Sequence, residues 1–534
     1  MKVLTAAQMR EVDRLTTERF GVPSMLLMEN AAARTVEEVE RKYGSVASKR
    51  VLILCGRGNN GGDGAAIARQ LTIKRARVDV LLLCRVEDTQ GDAKSYFEVI
   101  RAIAETDSNL RLVEIESSES LAREAAAGPY DLYIDAIFGT GLTRPAAGIF
   151  EEAISFLNEK AERSSVVSVD IPSGIASDVA DPIGPAVKAG LTVSFTAPKV
   201  GNILPSASDF TGELQVAYIG SPNVLPASSG SQLSLIEERD ITRWLAGSRR
   251  GPHANKGEAG KVLLIAGSRG KTGAACLAGA AALRAGAGLV TVATAESSQY
   301  TVASHLMIEC MTEALQETAF GCVSNDASER AFELSFERDV VAIGPGLGST
   351  EEATRAFVRE ATSKRVRPMI IDADGLNSLA PWGPDLRGSP ELPLILTPHP
   401  GEMARLVGRP IAAVLRNRVE LAREFATQHS LIVVLKGSRT LIAAPDGEVY
   451  VNPTGNSGMA TGGTGDVLTG LIAGLLAQKK DDPLGAAIAA VYLHGLAGDI
   501  ALSSKGTRAM IASDITANFG EAFIRAGGDA ERSR

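Results

Sequence analysis

The sequence predicts two α/β domains in tandem, and three observations predict it. Short β-branched apolar runs alternate with helical patterns in two separate series. A stretch rich in Gly, Pro and Ser parts the series after residue 219, and 534 residues exceed what one hydrophobic core ordinarily serves. With 45% hydrophobic and 22% charged residues, both halves have the material for a packed core.

Taken in order, residues 6–42 carry apolar side chains at helical intervals, broken at Gly21-Val22-Pro23-Ser24, which predicts two helices. Strands follow at 51–55, 78–83, 132–136, 166–170 and 191–195, the signature of a parallel sheet covered on both faces. The first domain is therefore placed at 1–221, a linker at 222–235 and the second domain at 236–534. Strands of the second series are expected at 262–266, 289–293, 340–344, 369–372, 394–397 and 431–436. The apolar stretches 467–477 and 486–502 are short, glycine-interrupted or amphipathic beside the ~20 residues a bilayer needs, and read as buried helices.

Against 55 basic residues stand 63 acidic ones, a formal charge of −8, and no block of five Lys or Arg occurs. This argues against nucleic acid and anionic membrane as partners. The first residues lack the apolar core of an export signal, and the five cysteines show no C-x-x-C spacing. A reducing cytoplasm is the expected location.

In the first half, Gly56-Arg57-Gly58-Asn59-Asn60-Gly61-Gly62-Asp63-Gly64 follows the first strand and precedes a helical pattern at 65–71. Glycines there let backbone amides approach a phosphate at a helix N-terminus, and Asp79 falls about where a ribose-binding acid of a βαβ unit would lie. A plain turn capped by Asp63 is the competing reading. Two further strand ends, Asp135 before Gly139-Thr140-Gly141-Leu142 and Asp170 before Ile171-Pro172-Ser173-Gly174, direct carboxylates to the same edge of the sheet.

With Leu27-Met28-Glu29-Asn30-Ala31, these segments resemble the NAD(P)HX epimerase family, in order, over roughly the first 220 residues. The resemblance implies a Rossmann-like three-layer fold and a bound potassium ion held by Asn60, Asp135 and Ser173. It implies that the hydrated dinucleotide is held by Asn59, Asn60, Gly61, Gly62 and Asp63, by Gly139, Thr140, Gly141, Leu142, Thr143, Arg144 and Pro145, and by Asp170. Oxygen ligands of low total charge suit such an ion. The reaction would invert the hydroxyl-bearing carbon of the reduced ring, with Asp170 relaying a proton. Ala32 stands where the family often has glycine.

In the second half, Asn452-Pro453-Thr454-Gly455-Asn456-Ser457-Gly458-Met459-Ala460-Thr461-Gly462-Gly463-Thr464-Gly465-Asp466 runs directly into an apolar helix. Consecutive glycine amides aimed by a helix dipole form an anion hole for a transferring phosphoryl group, and Asp466 is placed to take the proton of an attacking hydroxyl. A first-turn acid balancing the dipole is the bland alternative.

This pattern, with Asn255-Lys256-Gly257, Ala266-Gly267-Ser268, Gly344-Pro345-Gly346-Leu347-Gly348, Asp372-Ala373-Asp374-Gly375, Thr397-Pro398-His399-Pro400-Gly401-Glu402-Met403 and Lys436-Gly437-Ser438, resembles the ribokinase-like superfamily. Within it the similarity is to the ADP- or ATP-dependent NAD(P)HX dehydratases, over about 236–526, implying a ribokinase-like three-layer α/β domain. By that resemblance Lys436, Gly437, Ser438, Arg439 and Thr440, together with Asn456, Ser457, Gly458, Met459, Ala460, Thr461, Gly462, Gly463, Thr464 and Gly465, bind ADP or ATP. Gly348, His399, Pro400, Gly401, Glu402, Met403 and Asp466 face the hydrated dinucleotide. Magnesium is implied by the charge on the phosphates, with Glu402 either near its hydration shell or a helix-start acid.

The combined expectation is repair of NADHX and NADPHX: epimerisation of the R and S forms, then dehydration of the S form by phosphorylation and loss of phosphate. A homo-oligomer is expected. A kinase for a small alcohol, a redox Rossmann domain and a non-catalytic nucleotide sensor stay open. His253, His305 and His429 have no companion ligands in sequence, and His494 lies in an apolar helix and reads as a hydrogen-bonded core residue.

Overall fold

The computed structural model describes residues 1–527 apart from 126, 252 and 254, so 528–534 of the expected second domain lie outside the described residues. The chain divides into two compact units, Met1–Ser231 and Gln232–Arg534.

The first unit contains strands β1 (Arg50–Cys55), β2 (Arg77–Leu82), β3 (Leu110–Glu114), β4 (Leu132–Ala136), β5 (Val166–Val169), β6 (Leu191–Phe195) and β7 (Glu213–Ala217). They form one sheet of seven strands in the order β3-β2-β1-β4-β5-β6-β7, every pair parallel. Along β1, Val51, Ile53 and Cys55 face one apolar layer while Leu52 and Leu54 face the other, all fully buried, as a sheet with helices on both faces requires. The expected strands are present. The edge strands β3 and β7 were not read from sequence, because their half-exposed runs Leu-Arg-Leu-Val-Glu and Glu-Leu-Gln-Val-Ala mix polar with apolar residues. The chain winds from β1 outward to β3 and returns beside β1 as β4, which opens a crevice at the carboxyl ends of β1 and β4.

The second unit contains β8 (Leu233–Leu235), β9 (Lys261–Ile265), β10 (Leu289–Ala295), β11 (Met311–Leu315), β12 (Val340–Ile343), β13 (Met369–Ile371), β14 (Leu394–Leu396), β15 (Ile432–Leu435), β16 (Leu441–Ala443) and β17 (Val449–Val451). Its ten strands run in the order β11-β10-β9-β12-β13-β14-β15-β16-β17-β8, with β16 antiparallel to both β15 and β17. Strands β16 and β17 have three residues each, too short to show periodicity in sequence.

The stretch 222–235, expected as a linker, is built into both units. Leu225 is buried against Leu4, Met9, Val12 and Ala197, and Ser231 Oγ donates to the Val3 carbonyl at 2.6 Å. Leu233–Leu235 pairs in parallel with β17. Glycine, proline and serine there make turns, while the interspersed leucines supply the burial.

The helices Thr272–Arg284 and Thr464–Gln478 pack closely across small residues: a Cβ added at Gly474 would stand 2.6 Å from the Ala282 carbonyl oxygen. Pro483–Ala509 is the one helix among the described residues long and apolar enough to cross a membrane. In its most apolar window 67% is buried, against the core of its own unit.

Candidate active sites

In the first unit the helix Asn59–Ile73 starts three residues beyond Gly56, so the expected loop from Asn59 to Asp63 is the helix's opening turn. The glycines are required there by crowding. A Cβ at Gly61 would overlap the Gly56 carbonyl, one at Gly62 would lie 2.8 Å from Ala93 Cα, and one at Gly64 would lie 2.7 Å from Cys55 Sγ. Asn60, Asp135 and Ser173 are brought together at the β1–β4 crevice, all buried. Asp135 accepts from Ser168 Oγ at 2.8 Å, Ser173 N at 2.8 Å, Ser173 Oγ at 2.5 Å and Ile137 N at 3.3 Å. Burial raises its pKa against those donors. Ser173 Oγ in turn accepts from Phe138 N at 2.9 Å, while Gly139 passes over Asn60, whose Nδ2 is buried without a partner. Residues 140–145 continue from Gly139 as a largely solvent-facing loop.

Asp170 follows β5 with a left-handed φ of 67°, and its Oδ1 pairs with Lys199 Nζ. Lys199 is 1% exposed and also donates to Ser194 Oγ at 3.0 Å and the Phe195 carbonyl at 3.1 Å. Two further carboxyls feel this pair. Burial, then the Asp170 charge, pushes the Asp63 carboxyl well up. Burial pushes Asp13, on the helix Ala6–Glu18, up to about 6, against the opposing pull of Lys199. Asp79 is excluded from a ribose role. It lies early in β2, bonded to Arg111 Nε at 2.9 Å and Tyr130 OH at 2.8 Å, away from the carboxyl ends of the strands.

In the second unit the segment 452–466 leads through Gly463, the cap with φ 91°, into the first turn of the helix Thr464–Gln478. No atom lies within 4 Å of where a Cβ on Gly462 would sit, and one on Gly465 would lie 3.2 Å from Lys436 Nζ, while one on Gly463 would lie 2.5 Å from Leu277 Cδ1, so the run is open at Gly462, packed at Gly463 and beside an ammonium at Gly465. Asp466 stands in the helix's first turn, and burial, reinforced by Asp372, pushes its pKa up to about 7. That value suits a group that accepts a proton near neutrality.

Lys436 Nζ donates to Asp372 Oδ1 at 2.7 Å and lies 3.8 Å from Glu402 Oε2. Glu402, 5% exposed, accepts from His399 N at 2.8 Å and closes a capping box on the helix Pro400–Val407, which gives it the helix-start role. His399 Nδ1 accepts from Gly401 N at 3.0 Å and Glu402 N at 3.3 Å, and burial pushes the imidazole's pKa down. Met403 is fully buried, so its side chain packs in the core and does not face a ligand as expected. Gly348 N donates to Asp374 Oδ2 at 2.8 Å, and Lys271 Nζ reaches the same oxygen at 3.0 Å.

The turn 436–440 is braced by Arg418, which donates to the Ser438 carbonyl at 2.9 Å, by Arg439 donating to the Pro453 carbonyl at 2.7 Å, and by Thr440 Oγ1 on the Gly437 carbonyl at 3.0 Å. Asn456 caps Ser457–Met459 and donates to Asp499 Oδ1 at 2.8 Å, and Thr464 Oγ1 donates to the Thr461 carbonyl at 3.1 Å. Among the described residues no group of three or more His, Cys, Asp or Glu is arranged to hold a metal. His429 packs against Trp382 and Phe425, His305 is exposed, and His494 is buried with Nε2 unpartnered.

Residues 24–201 match the family model described as YjeF-related protein N-terminus, and residues 262–519 match that described as NAD(P)H-hydrate dehydratase. Over 517 residues the chain is 45% identical to the bifunctional NAD(P)H-hydrate repair enzyme Nnr of Moorella thermoacetica, spanning 96% of this chain and 95% of that one. The chain belongs to the family of bifunctional NAD(P)H-hydrate repair enzymes. The Escherichia coli member is 33% identical over 510 residues, covering 96% of this chain and 92% of its own. A solved ADP/ATP-dependent NAD(P)H-hydrate dehydratase from Bacillus subtilis, co-crystallized with ATP/Mg2+, is 34% identical and covers 55% of this chain and 98% of its own, at a TM-score of 0.47.

The sequence of this repair enzyme does not single out Lys199 and Asp13 in the first unit, nor Lys271 and Thr469, whose Oγ1 donates to Asp372 Oδ2 at 2.7 Å, in the second. Each becomes legible only when the fold sets it beside a carboxylate from a distant segment. Asp372 had a signal, since it opens the Asp-Ala-Asp-Gly stretch after a strand.

Proposed function

We infer that this repair enzyme restores hydrated NADH and NADPH in two steps, one in each unit. The first unit interconverts the R and S forms at the hydroxyl-bearing ring carbon. The second dehydrates the S form at the expense of ADP or ATP. The single observation that carries the second step is the Asp466 carboxyl, pushed up to about 7, beside the glycine amides of 462–465, open at Gly462, and the Lys436 ammonium.

In the second unit Asp466 takes the proton as the ring hydroxyl oxygen bonds to the terminal phosphorus of the nucleotide and the bond from that phosphorus to the bridging oxygen breaks. The amides of 462–465 and the Lys436 ammonium stabilise charge on the transferring oxygens. The phosphate then leaves with its C–O electrons, and loss of a proton from the neighbouring carbon restores the ring double bond. Residues 436–440 and 456–465 hold the adenine nucleotide, while Gly348, His399 and Asp466 meet the dinucleotide. Magnesium accompanies the nucleotide's phosphates and would neutralise part of their charge.

In the first unit the Asp170–Lys199 pair moves the proton, and 59–63 and 139–145 hold the dinucleotide. Potassium fits the crevice. The Asn60 amide oxygen and the Ser173 hydroxyl are neutral oxygen donors and Asp135 contributes one charge, all three on buried residues. When bound it would supply a fixed positive charge there. A cytoplasmic location and a homo-oligomeric state belong to the same proposal.

Incubation of the full chain with mixed NADHX and ADP or ATP tests the dehydratase reading. Recovery of NADH absorbance with one free phosphate per NADH is expected. A stable phosphoester without NADH would make the second unit a kinase for a small alcohol.

A further inference from the structure

Asp372, at the carboxyl end of β13 and 1% exposed, uses both carboxylate oxygens. Oδ1 accepts from Lys436 Nζ at 2.7 Å and Oδ2 from Thr469 Oγ1 at 2.7 Å. Thr469 lies on the helix Thr464–Gln478 whose N-terminus carries the glycine amides, and Lys436 directly follows β15. One carboxylate therefore ties two strand ends to that helix. Gly465 fills the space between them, since a Cβ there would lie 3.2 Å from Lys436 Nζ and 3.8 Å from Asp372 Oδ2. A buried ion pair is a weak way to stabilise a fold, because desolvation offsets most of the attraction. A lysine is also a flexible four-carbon stem that needs an anchor to hold its charge in one place.

We propose that Asp372, together with Thr469, is a positioning residue for dehydration, fixing the Lys436 ammonium against the amide run at 463–465 where the transferring phosphoryl oxygens gather. The inference rests on the dehydratase reading above and deepens it. The same carboxylate acts on the general base. Asp466 is faced by Asp372, Asp374 and Glu402, which raise its proton affinity on top of burial, and by Lys436, which lowers it. His494, on the helix Pro483–Ala509, borders Thr464 and is neutral there, since burial pushes its pKa down to about 4. Removing the negative charge of Asp372 must therefore lower the Asp466 pKa, while removing the positive charge of Lys436 must raise it.

The test measures ADP-driven dehydration of NADHX by the full chain against pH, with epimerisation by the first unit and thermal melting as checks of folding. For Asp372→Asn we expect kcat to fall about 10²-fold and the acid limb of the profile to move to lower pH. Lys436→Met should move that limb to higher pH. Thr469→Val, which changes no charge, should lower kcat about tenfold, leave KM for NADHX and the limb in place, and be rescued by Thr469→Ser. If a folded Asp372→Asn protein keeps its rate within threefold, or its limb fails to move downward, the inference is overturned. Should Asp372→Asn not fold, equal kcat in Thr469→Val and the unaltered chain overturns it. Absence of dehydration in the unaltered chain is a different result, which overturns the functional reading itself.

Discussion

The two glycine-rich segments look alike in sequence, yet crowding within the fold demands most glycines of the first, and open space marks part of the second. In the first unit Gly61, Gly62 and Gly64 lie inside the helix Asn59–Ile73 with no room for a Cβ, so they let that helix press against β1, β4 and Ala93. In the second unit Gly463 is crowded by Leu277, but Gly462 has nothing near it and Gly465 faces Lys436, so at those two positions the missing side chains leave space for a ligand. Both units nonetheless end a central strand in an aspartate paired with a lysine, Asp170 with the buried Lys199 and Asp372 with the partly exposed Lys436. The difference teaches that a glycine run marks a close approach, and that only the fold says whether the approaching party is the protein or its substrate.

The largest expected effect falls on one unit alone. Asp466→Asn should lower dehydration by ~10²–10⁴ and leave epimerisation unchanged, measured in parallel on the full chain. The same variant should gain stability. The Asp466 pKa rises from 3.8 to about 7 on folding, so the stability that protonation lends is present below pH 3.8 and lost as pH rises through 7. The asparagine variant should therefore exceed the unaltered chain in the melting of the second unit above pH 7, by no more than ~4 kcal/mol, with the gap closing toward pH 4. A constant gap across that range would remove the assignment of the raised pKa.

Substituting the two kinds of glycine sharpens the contrast. Gly61→Ala should destabilise the first unit by roughly 1–3 kcal/mol through overpacking, seen in its melting transition. Gly462→Ala should leave melting within about 0.5 kcal/mol but reduce dehydration on the order of tenfold, because its methyl group stands where phosphoryl oxygens approach. The smallest effect concerns the ion. Replacing potassium by lithium should slow epimerisation severalfold, and Asn60→Ala should remove that dependence; equal rates in both salts would contradict the potassium assignment.

Much of this was legible before the fold was seen. The central strands of both sheets are continuous apolar runs, and Asp135, Asp170 and Asp466 each stand where a run meets a glycine-bearing turn. The residues that escaped are those whose meaning is set by distance. Asp13 occupies an ordinary polar position of an amphipathic helix, and nothing local says that the sheet will bring Lys199 beside it. Asp79 shows the reverse failure. Its spacing suited a ribose acid, but spacing does not tell which end of a strand a residue occupies. The stretch 222–235 is held to the units because Leu225 and Leu233 are buried, which the turn residues around them conceal in the sequence.

One chain rescues both epimers because the first unit supplies what the second can use. A dehydratase site that presents one ring hydroxyl to Asp466 has the other epimer's oxygen turned away from the phosphoryl group. The direct test follows NADH recovery from a mixed R and S sample with excess ADP, for the full chain and for Asp170→Asn, which keeps a neutral partner for Lys199. The unaltered chain should convert nearly all of the sample. Asp170→Asn should start at the same rate, consume the S fraction and then slow to the spontaneous rate of epimerisation. Complete conversion by Asp170→Asn at the unaltered rate would contradict the division of labour between the two units.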